Sequence, residues 1–301
     1  MARTNPKTYE PSTPTKVAFI GLGVMGYPMA GHLALAGNHV TVYNRNPAKA
    51  KDWCAEFPGH ASAATPREAA LGADMVFCCV GNDDDLRSVM LGADGALAGT
   101  KDGALLIDHT TASANVAREL FSAAKNKGVY FVDAPVSGGE AGAINGMLTV
   151  MCGGESAAFD RAKPVGMAFS KAFTLMGESG AGQLTKMVNQ VCIAGLVQGL
   201  SEGIAFGMKA GLNMEQVLEV IGKGAAQSWQ MDNRGKTMVA DKFDFGFAVD
   251  WMRKDLGLVM DEAKRNGARV PITALVDQFY ADVQAMGGKR FDTSSLIKRL
   301  R

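Results

Sequence analysis

Hydrophobic residues follow two different rhythms along this chain. As far as Gly177 they fall in short apolar runs: KVAFI, VTVY, DMVFCCV (Asp74–Val80), GALLID, VYFVD, MLTVMCGG and KAFTLMG. Each is short and β-branched or aromatic enough for a buried strand of a parallel sheet. Mixed stretches between them read as helices. One opens directly behind Gly26, and one begins at Pro47 and gives way to loop before Thr65. A short helix starts at Pro66 with Thr65 as its N-cap, and others cover roughly 113–127 and 155–170.

Past the glycine-rich GESGAGQ joint, strand signals almost vanish. A long helix is expected from about Gly182 to Lys209, with Leu184, Val188, Val191, Leu196, Leu200 and Ile204 forming its apolar side. Glycines at 195, 199, 203 and 207 recur every fourth residue, a spacing that lets another helix approach closely. Further helices are expected over 214–223, 250–266 and 272–286, the last entered through Pro271. The expected architecture is an α/β Rossmann-like domain over 16–178, then an all-α C-terminal domain over 179–301.

Between the first two strands stand Gly21-Leu22-Gly23-Val24-Met25-Gly26, in G-x-G-x-x-G spacing. Gly21 permits the tight turn, Gly23 lets backbone approach a pyrophosphate, and Gly26 lets the helix pack against the strand. The helix N-terminus favours the phosphate charge, so the loop implies a dinucleotide. At the end of the second strand an NAD site usually offers a carboxylate to the ribose. Here Asn44-Arg45-Asn46 stand instead. Asn44 does not repel a 2′-phosphate and the Arg45 guanidinium can grip one, which points to NADP, with NAD still possible. Val80, Gly81 and Asn82, at the carboxyl end of a central strand, are placed beside the same cofactor.

Composition removes several alternatives. The 301 residues carry a formal net charge of +1 and no basic block, which excludes a nucleic-acid surface. The longest apolar runs are interrupted by Gly, Lys and Asn short of a membrane span. The first fifteen residues are polar, rich in Pro and Thr, and read as a disordered tail rather than a secretory signal. Five cysteines without C-x-x-C, and four histidines without ligand spacing, predict neither disulfides nor a metal. A cytoplasmic location is expected.

Three places carry candidate chemistry. In Asp133-Ala134-Pro135-Val136-Ser137-Gly138-Gly139, two glycines after a serine leave backbone N–H groups and a hydroxyl to receive a carboxylate. A plain turn would have the same local sequence. Lys186 and Asn189 lie one helical turn apart on one face, where desolvation of Lys186 would ready it for proton transfer. Read alone, a first-turn lysine reaches solvent. His109 follows a strand but has no partner in view, so a loop or packing role is expected.

GLGVMG with Pro28-Met29-Ala30, DAPVSGG, GQLTKMVNQ and RKDL stand in the order found in the β-hydroxyacid dehydrogenase family, which this chain resembles from Lys16 to its C-terminus. The resemblance implies a 6-phosphogluconate dehydrogenase-like fold and a hydride-transferring oxidoreductase. In that reading Lys186 is the general acid/base, Ser137, Gly138 and Gly139 bind the substrate carboxylate, and Asn189 contacts substrate. Thr111 lies between substrate and nicotinamide, and Phe247 and Lys254 approach the cofactor. Gln190 stands where an asparagine is common in the family, as in tartronate semialdehyde reductases. The substrate implied is a small 3-hydroxy acid or semialdehyde carboxylate, either tartronate semialdehyde or 3-hydroxyisobutyrate. Val136, Met231, Asp232 and Asp250 are expected to meet its tail. An imine reductase, or a non-catalytic NADP-binding sensor, would share the architecture. A homodimer or homotetramer is also implied, with neither nucleic acid nor membrane as partner.

Overall fold

A computed structural model describes residues 3–11 and 13–301. The chain separates into two compact units, 1–186 and 187–301. The first contains β1 (Lys16–Ile20), α1 (Gly26–Leu35), β2 (His39–Tyr43), α2 (Pro47–Glu56), β3 (Ala61–Ser62), α3 (Pro66–Ala70), β4 (Met75–Cys78), α4 (Asp83–Leu91) and α5 (Ala96–Gly99). It continues through β5 (Leu105–Asp108), α6 (Ala114–Asn126), β6 (Tyr130–Asp133), β7 (Val136–Ser137), α7 (Gly139–Ile144), β8 (Leu148–Gly154), α8 (Ser156–Gly166) and β9 (Ser170–Gly177). Strands run in the order β3-β2-β1-β4-β5-β6-β8-β7, with β9 beside β8. The pairs from β3 to β6 are parallel, and β8 lies antiparallel to β6 and β7.

Both faces of this sheet are covered. Phe19, Phe77 and Ile107 enter one apolar cluster, while their strand neighbours Ile20, Val76 and Leu106 enter the other. That is why these strands read as continuous apolar runs rather than alternating ones. Thr65 caps α3 as expected, accepting from the Glu68 N–H at 3.1 Å. The short helices α4, α5 and α7 and the two-residue strand β3 had no distinct apolar period and were not foreseen.

The amino-terminal segment is laid onto the first unit instead of trailing free. Lys7 Nζ donates to the carbonyls of Gly146, Met167 and Ser170 at 2.7, 3.0 and 3.0 Å. Tyr9 Oη meets His32 Nδ1 at 2.8 Å. Expected disorder followed from a polar composition, and one lysine capping three carbonyls overrides it. Met1, Ala2 and Ser12 lie outside the described residues.

The two compact units divide at Lys186, inside helix α9 (Ala181–Lys209). The second unit continues with α10 (Met214–Ile221), α11 (Trp229–Val239), α12 (Val249–Asn266), α13 (Pro271–Ala285) and a 3₁₀ turn over Thr293–Leu300. Of these, α11 and the 3₁₀ turn were not foreseen. The side of α9 buried in this unit matches the expected one only in part, with Ile204 buried and Leu200 packed against its cluster. Val188 is 64 % exposed and Leu196 is exposed, whereas Gln190, Ala194, Val197, Ser201 and Ile204 are buried. Small and polar side chains mate with α12 and α13 better than the leucines would. Among the four spaced glycines, a Cβ at Gly207 would collide with Met214, but at Gly199 and Gly203 it would meet open space. By length and composition α9 is also apolar enough to cross a membrane, contrary to the reading of interrupted runs. Some 44 % of its most apolar stretch is buried inside the molecule.

Candidate active site

The glycine loop between β1 and α1 has the shape its spacing implies. Gly21 adopts φ +96°, and a Cβ there would strike the Cys79 carbonyl. At Gly26 a Cβ would strike the Gly21 carbonyl, so the helix packs as close as backbone allows. A Cβ at Gly23 meets nothing within 4 Å, which leaves open space where a pyrophosphate would approach. The first turn of α1 has no side-chain cap and no acidic residue, so its N–H groups and dipole are uncompensated. Leu22 is buried, whereas Val24 is exposed and Met25 half-buried at the mouth of the loop. These residues fit a dinucleotide.

Asparagines build the rest of this corner. Asn44 Oδ1 accepts from the Leu22 N–H at 2.9 Å and its Nδ2 donates to the Asn46 carbonyl at 3.0 Å. Its side chain therefore holds the glycine loop. Asn46 caps α2 through the Ala48 N–H, and Asn82 caps α4 through the Asp85 N–H at 2.8 Å. Arg45 points outward beside them, its side chain 87 % exposed and 3.2 Å from Asp85. Val80, Gly81 and Asn82 are half-buried at the end of β4. Thr110 Oγ1 accepts from the Val80 N–H at 3.0 Å, joining the β4 and β5 ends.

Lys186 is positioned from the strand ends. The Asp133 carboxylate, at the end of β6, accepts from the N–H groups of Gly180 and Gln183 at 2.7 and 3.0 Å. It thereby caps the start of α9. Gln183 returns the connection: its Nε2 donates to the Thr110 carbonyl at 2.7 Å and its Oε1 accepts from the Ala112 N–H at 3.0 Å. Thr111, half-buried, stands between these two attachment points. Lys186 follows Gln183 by three residues on the same helix side and is 8 % exposed. Gln183 and Asp133 were missed as site residues. Their signal is a glutamine and an aspartate fully buried with matched partners.

Asp133 also opens the segment leading to the expected carboxylate loop. Val136–Ser137 forms β7 against Val150 and Thr149 of β8, and the loop turns at Gly138 and Gly139 with φ +129° and +61°. Ser137 is half-buried, and both glycines are exposed. Successive residues in such conformations present N–H groups to an anion.

Beneath the site lie buried acids. Asp108 and Asp133 are register partners on β5 and β6. Burial pushes the Asp108 carboxyl up to about 7 and that of Asp133 up to about 6. Asp108 Oδ1 accepts from the Thr110 N–H at 2.9 Å, while Oδ2 has no partner among the described residues. Burial drives His109 down to about 4. Its ring stacks on Phe77 at 5.8 Å and its Nδ1 meets the Ala134 carbonyl at 2.6 Å, so it packs as a neutral side chain.

In the second unit, Asn189 Nδ2 donates to Gln190 Oε1 at 2.7 Å, and Gln190 Nε2 donates to Asp255 Oδ2 at 2.6 Å. Lys254 Nζ pairs with Asp255 Oδ1 at 2.9 Å. Phe247 is half-buried against the α9–α12–α13 cluster, its N–H donating to Asp292 at 2.9 Å. Met231 belongs to a different apolar cluster with Met214, Leu218 and Met238, and Asp232 accepts from Gln227. Asp250 accepts from Gln284.

Two family models divide the chain between them. The NAD binding domain of 6-phosphogluconate dehydrogenase matches residues 16–177, and the NAD-binding domain of NADP-dependent 3-hydroxyisobutyrate dehydrogenase matches residues 180–300. An uncharacterized oxidoreductase of Shewanella frigidimarina is 62 % identical over 95 % of this chain and 98 % of its own length. The 2-hydroxy-3-oxopropionate reductase of Escherichia coli is 33 % identical over 95 % of this chain and 97 % of its own. Among solved structures, the 3-hydroxyisobutyrate dehydrogenase of Mycobacterium tuberculosis with L-serine superposes with TM-score 0.87, at 31 % identity, covering 96 % of this chain and all of that one. With a nicotinamide-dinucleotide cradle formed at Gly21–Gly26 and both halves matched, this chain belongs to the β-hydroxyacid dehydrogenase family.

Proposed function

We propose that this enzyme is an NADP-dependent reductase of a small carboxylate-bearing semialdehyde, working between the semialdehyde and its 3-hydroxy acid. The observation that carries the reading is Lys186, buried and held one turn beyond the Asp133–Gln183 anchorage. Nicotinamide, when bound, supplies the hydride in reduction and takes it up in oxidation. Lys186 Nζ gives the carbonyl oxygen its proton, or removes it from the hydroxyl in the reverse direction. The Ser137 hydroxyl and the Gly138 and Gly139 N–H groups hold the carboxylate. Thr111 orients substrate against the nicotinamide, Asn189 contacts substrate, and Phe247 and Lys254 approach the cofactor. Arg45 exchanges Asp85 for the 2′-phosphate, which favours NADP.

Tartronate semialdehyde and methylmalonate semialdehyde, the oxidised forms of glycerate and 3-hydroxyisobutyrate, both suit this arrangement. The resemblance to a 2-hydroxy-3-oxopropionate reductase and to a 3-hydroxyisobutyrate dehydrogenase whose structure was solved with L-serine supports the pair. NADPH oxidation against both aldehydes, with NADH in parallel, tests the assignment. Turnover of at least one with NADPH preferred supports it, and binding of NADPH without turnover of either opposes it. Self-association is part of the same proposal. Phe206, 74 % exposed, and Val188 and Leu196 lie on the apolar α9 surface left uncovered in one chain. Light scattering should find a dimer or tetramer that Phe206→Asp weakens, and a monomeric parent protein would oppose this.

A further inference from the structure

Asn189 ends a chain of side chains whose polarity is set from its buried end. Asp255 is 2 % exposed and, as a carboxylate, only accepts hydrogen bonds. Its Oδ1 is occupied by the Lys254 ammonium at 2.9 Å, an ion pair rather than an aligned hydrogen bond. Its Oδ2 therefore requires a donor, and Gln190 Nε2 stands 2.6 Å away. The same Nε2 lies 3.6 Å from the Met252 sulfur, a second acceptor. Rotating the Gln190 amide by half a turn would put oxygen against the carboxylate and remove both bonds. Gln190 Oε1 is thus directed to Asn189, and at 2.7 Å it takes a hydrogen from Asn189 Nδ2. Each amide has only one oxygen, so the direction imposed at Asp255 passes unchanged through Gln190 to Asn189. Asn189 Nδ2 is drawn towards Gln190, and its Oδ1 is turned the other way.

We infer that Asp255 and Gln190 are positioning residues that make Asn189 a hydrogen-bond acceptor, so that the group it receives from substrate is a hydroxyl and not the carboxylate. The inference rests on the reading that Asn189 contacts substrate. Asn189 lies one turn along the same helix side from Lys186, which serves the reacting oxygen. The hydroxyl received is then the one on the neighbouring carbon, C2. An acceptor at this point prefers a 2-hydroxy to a 2-methyl semialdehyde, because the methyl would leave the amide oxygen desolvated and unpaired. Glutamine at 190 is what spans the gap from Asn189 to Asp255, and a shorter asparagine there would break the chain.

The test measures kcat/KM with NADPH for tartronate semialdehyde and methylmalonate semialdehyde in the parent enzyme, Asp255→Asn and Gln190→Leu. The parent should prefer the 2-hydroxy compound by about tenfold or more. Asp255→Asn lets either end of the Gln190 amide face inward, and Gln190→Leu removes the link. Both should reduce the preference at least fivefold, through kcat/KM on the 2-hydroxy substrate, while the 2-methyl rate stays within about twofold, and so does NADPH affinity in Gln190→Leu, which keeps the Lys254–Asp255 pair. Equal losses on both substrates, or an unchanged preference, would overturn the inference and leave the Lys186 reading standing. No turnover of either aldehyde by the parent enzyme would overturn both.

Discussion

The carboxylate of Asp133 accepts the Gln183 N–H at 3.0 Å, tying the end of a central strand to the first turn of the helix that bears Lys186. Gln183 in turn bonds the backbone on either side of Thr111. Strand end, loop and helix start are thus one hydrogen-bonded unit, and Lys186 takes its place from it. Gln183→Ala leaves a buried carbonyl and a buried N–H unpaired, at about 1–3 kcal/mol each. The expected result is a fall in kcat of about tenfold or more with NADPH affinity within threefold. Stopped-flow and nucleotide titration separate the two quantities, and a loss confined to NADPH affinity would deny Gln183 its role in holding Lys186.

Arg45 projects into solvent and spends its charge on Asp85 at 3.2 Å, an exposed pair of little intrinsic value. A bound 2′-phosphate is the better partner. Arg45→Ala should raise KM for NADPH by about ten- to a hundredfold, the worth of a charge-assisted hydrogen bond, and leave NADH nearly unaffected. Steady-state kinetics with both nucleotides decide it, and equal changes for the two would remove Arg45 from phosphate recognition.

Asp108 predicts an inverted pH dependence. Burial raises its carboxyl from the ordinary 3.8 to about 7. Between those values the folded protein keeps a proton that the unfolded chain has released. Its contribution is therefore complete below about pH 4 and lost as pH rises towards 7. Asp108→Asn has no proton to lose and should gain on the parent across this window, by about 4 kcal/mol at pH 8 for a shift of this size. Denaturant titrations of both proteins at pH 4.5 and 8 measure the difference. A difference that does not change with pH would place the Asp108 carboxyl in its ordinary range.

At the exposed Ser137 turn, removal of one hydroxyl should cost about tenfold in KM for the semialdehyde and little in kcat. Ser137→Ala tests this by initial rates. If kcat alone falls, Ser137 acts on the reacting atoms rather than on the carboxylate.

Much of this was legible from residue order. The glycine loop, the parallel strands and the helices after Pro47, Pro66 and Pro271 announce themselves by period and punctuation. Lys186, Asn189 and Ser137 were singled out as candidates through motif order. What stayed hidden depends on partners far away in the chain. Asp133 and Gln183 look like ordinary polar residues until a strand end meets a helix start. Gln190 becomes informative only when Asp255, on another helix, lies 2.6 Å from it. The exposed face of α9 was misjudged for the same reason: periodicity finds an apolar side, whereas packing with α12 and α13 prefers the side with alanine, serine and glutamine.

The most direct test of the account is the rate of NADPH oxidation by the parent enzyme and Lys186→Ala with tartronate and methylmalonate semialdehydes, measured beside NADPH binding. The parent should turn over substrate, and the variant should lose about a hundred- to ten-thousandfold in kcat with NADPH affinity unchanged. A variant that keeps near-parental turnover would contradict it, because the proton at the reacting oxygen would then come from another group.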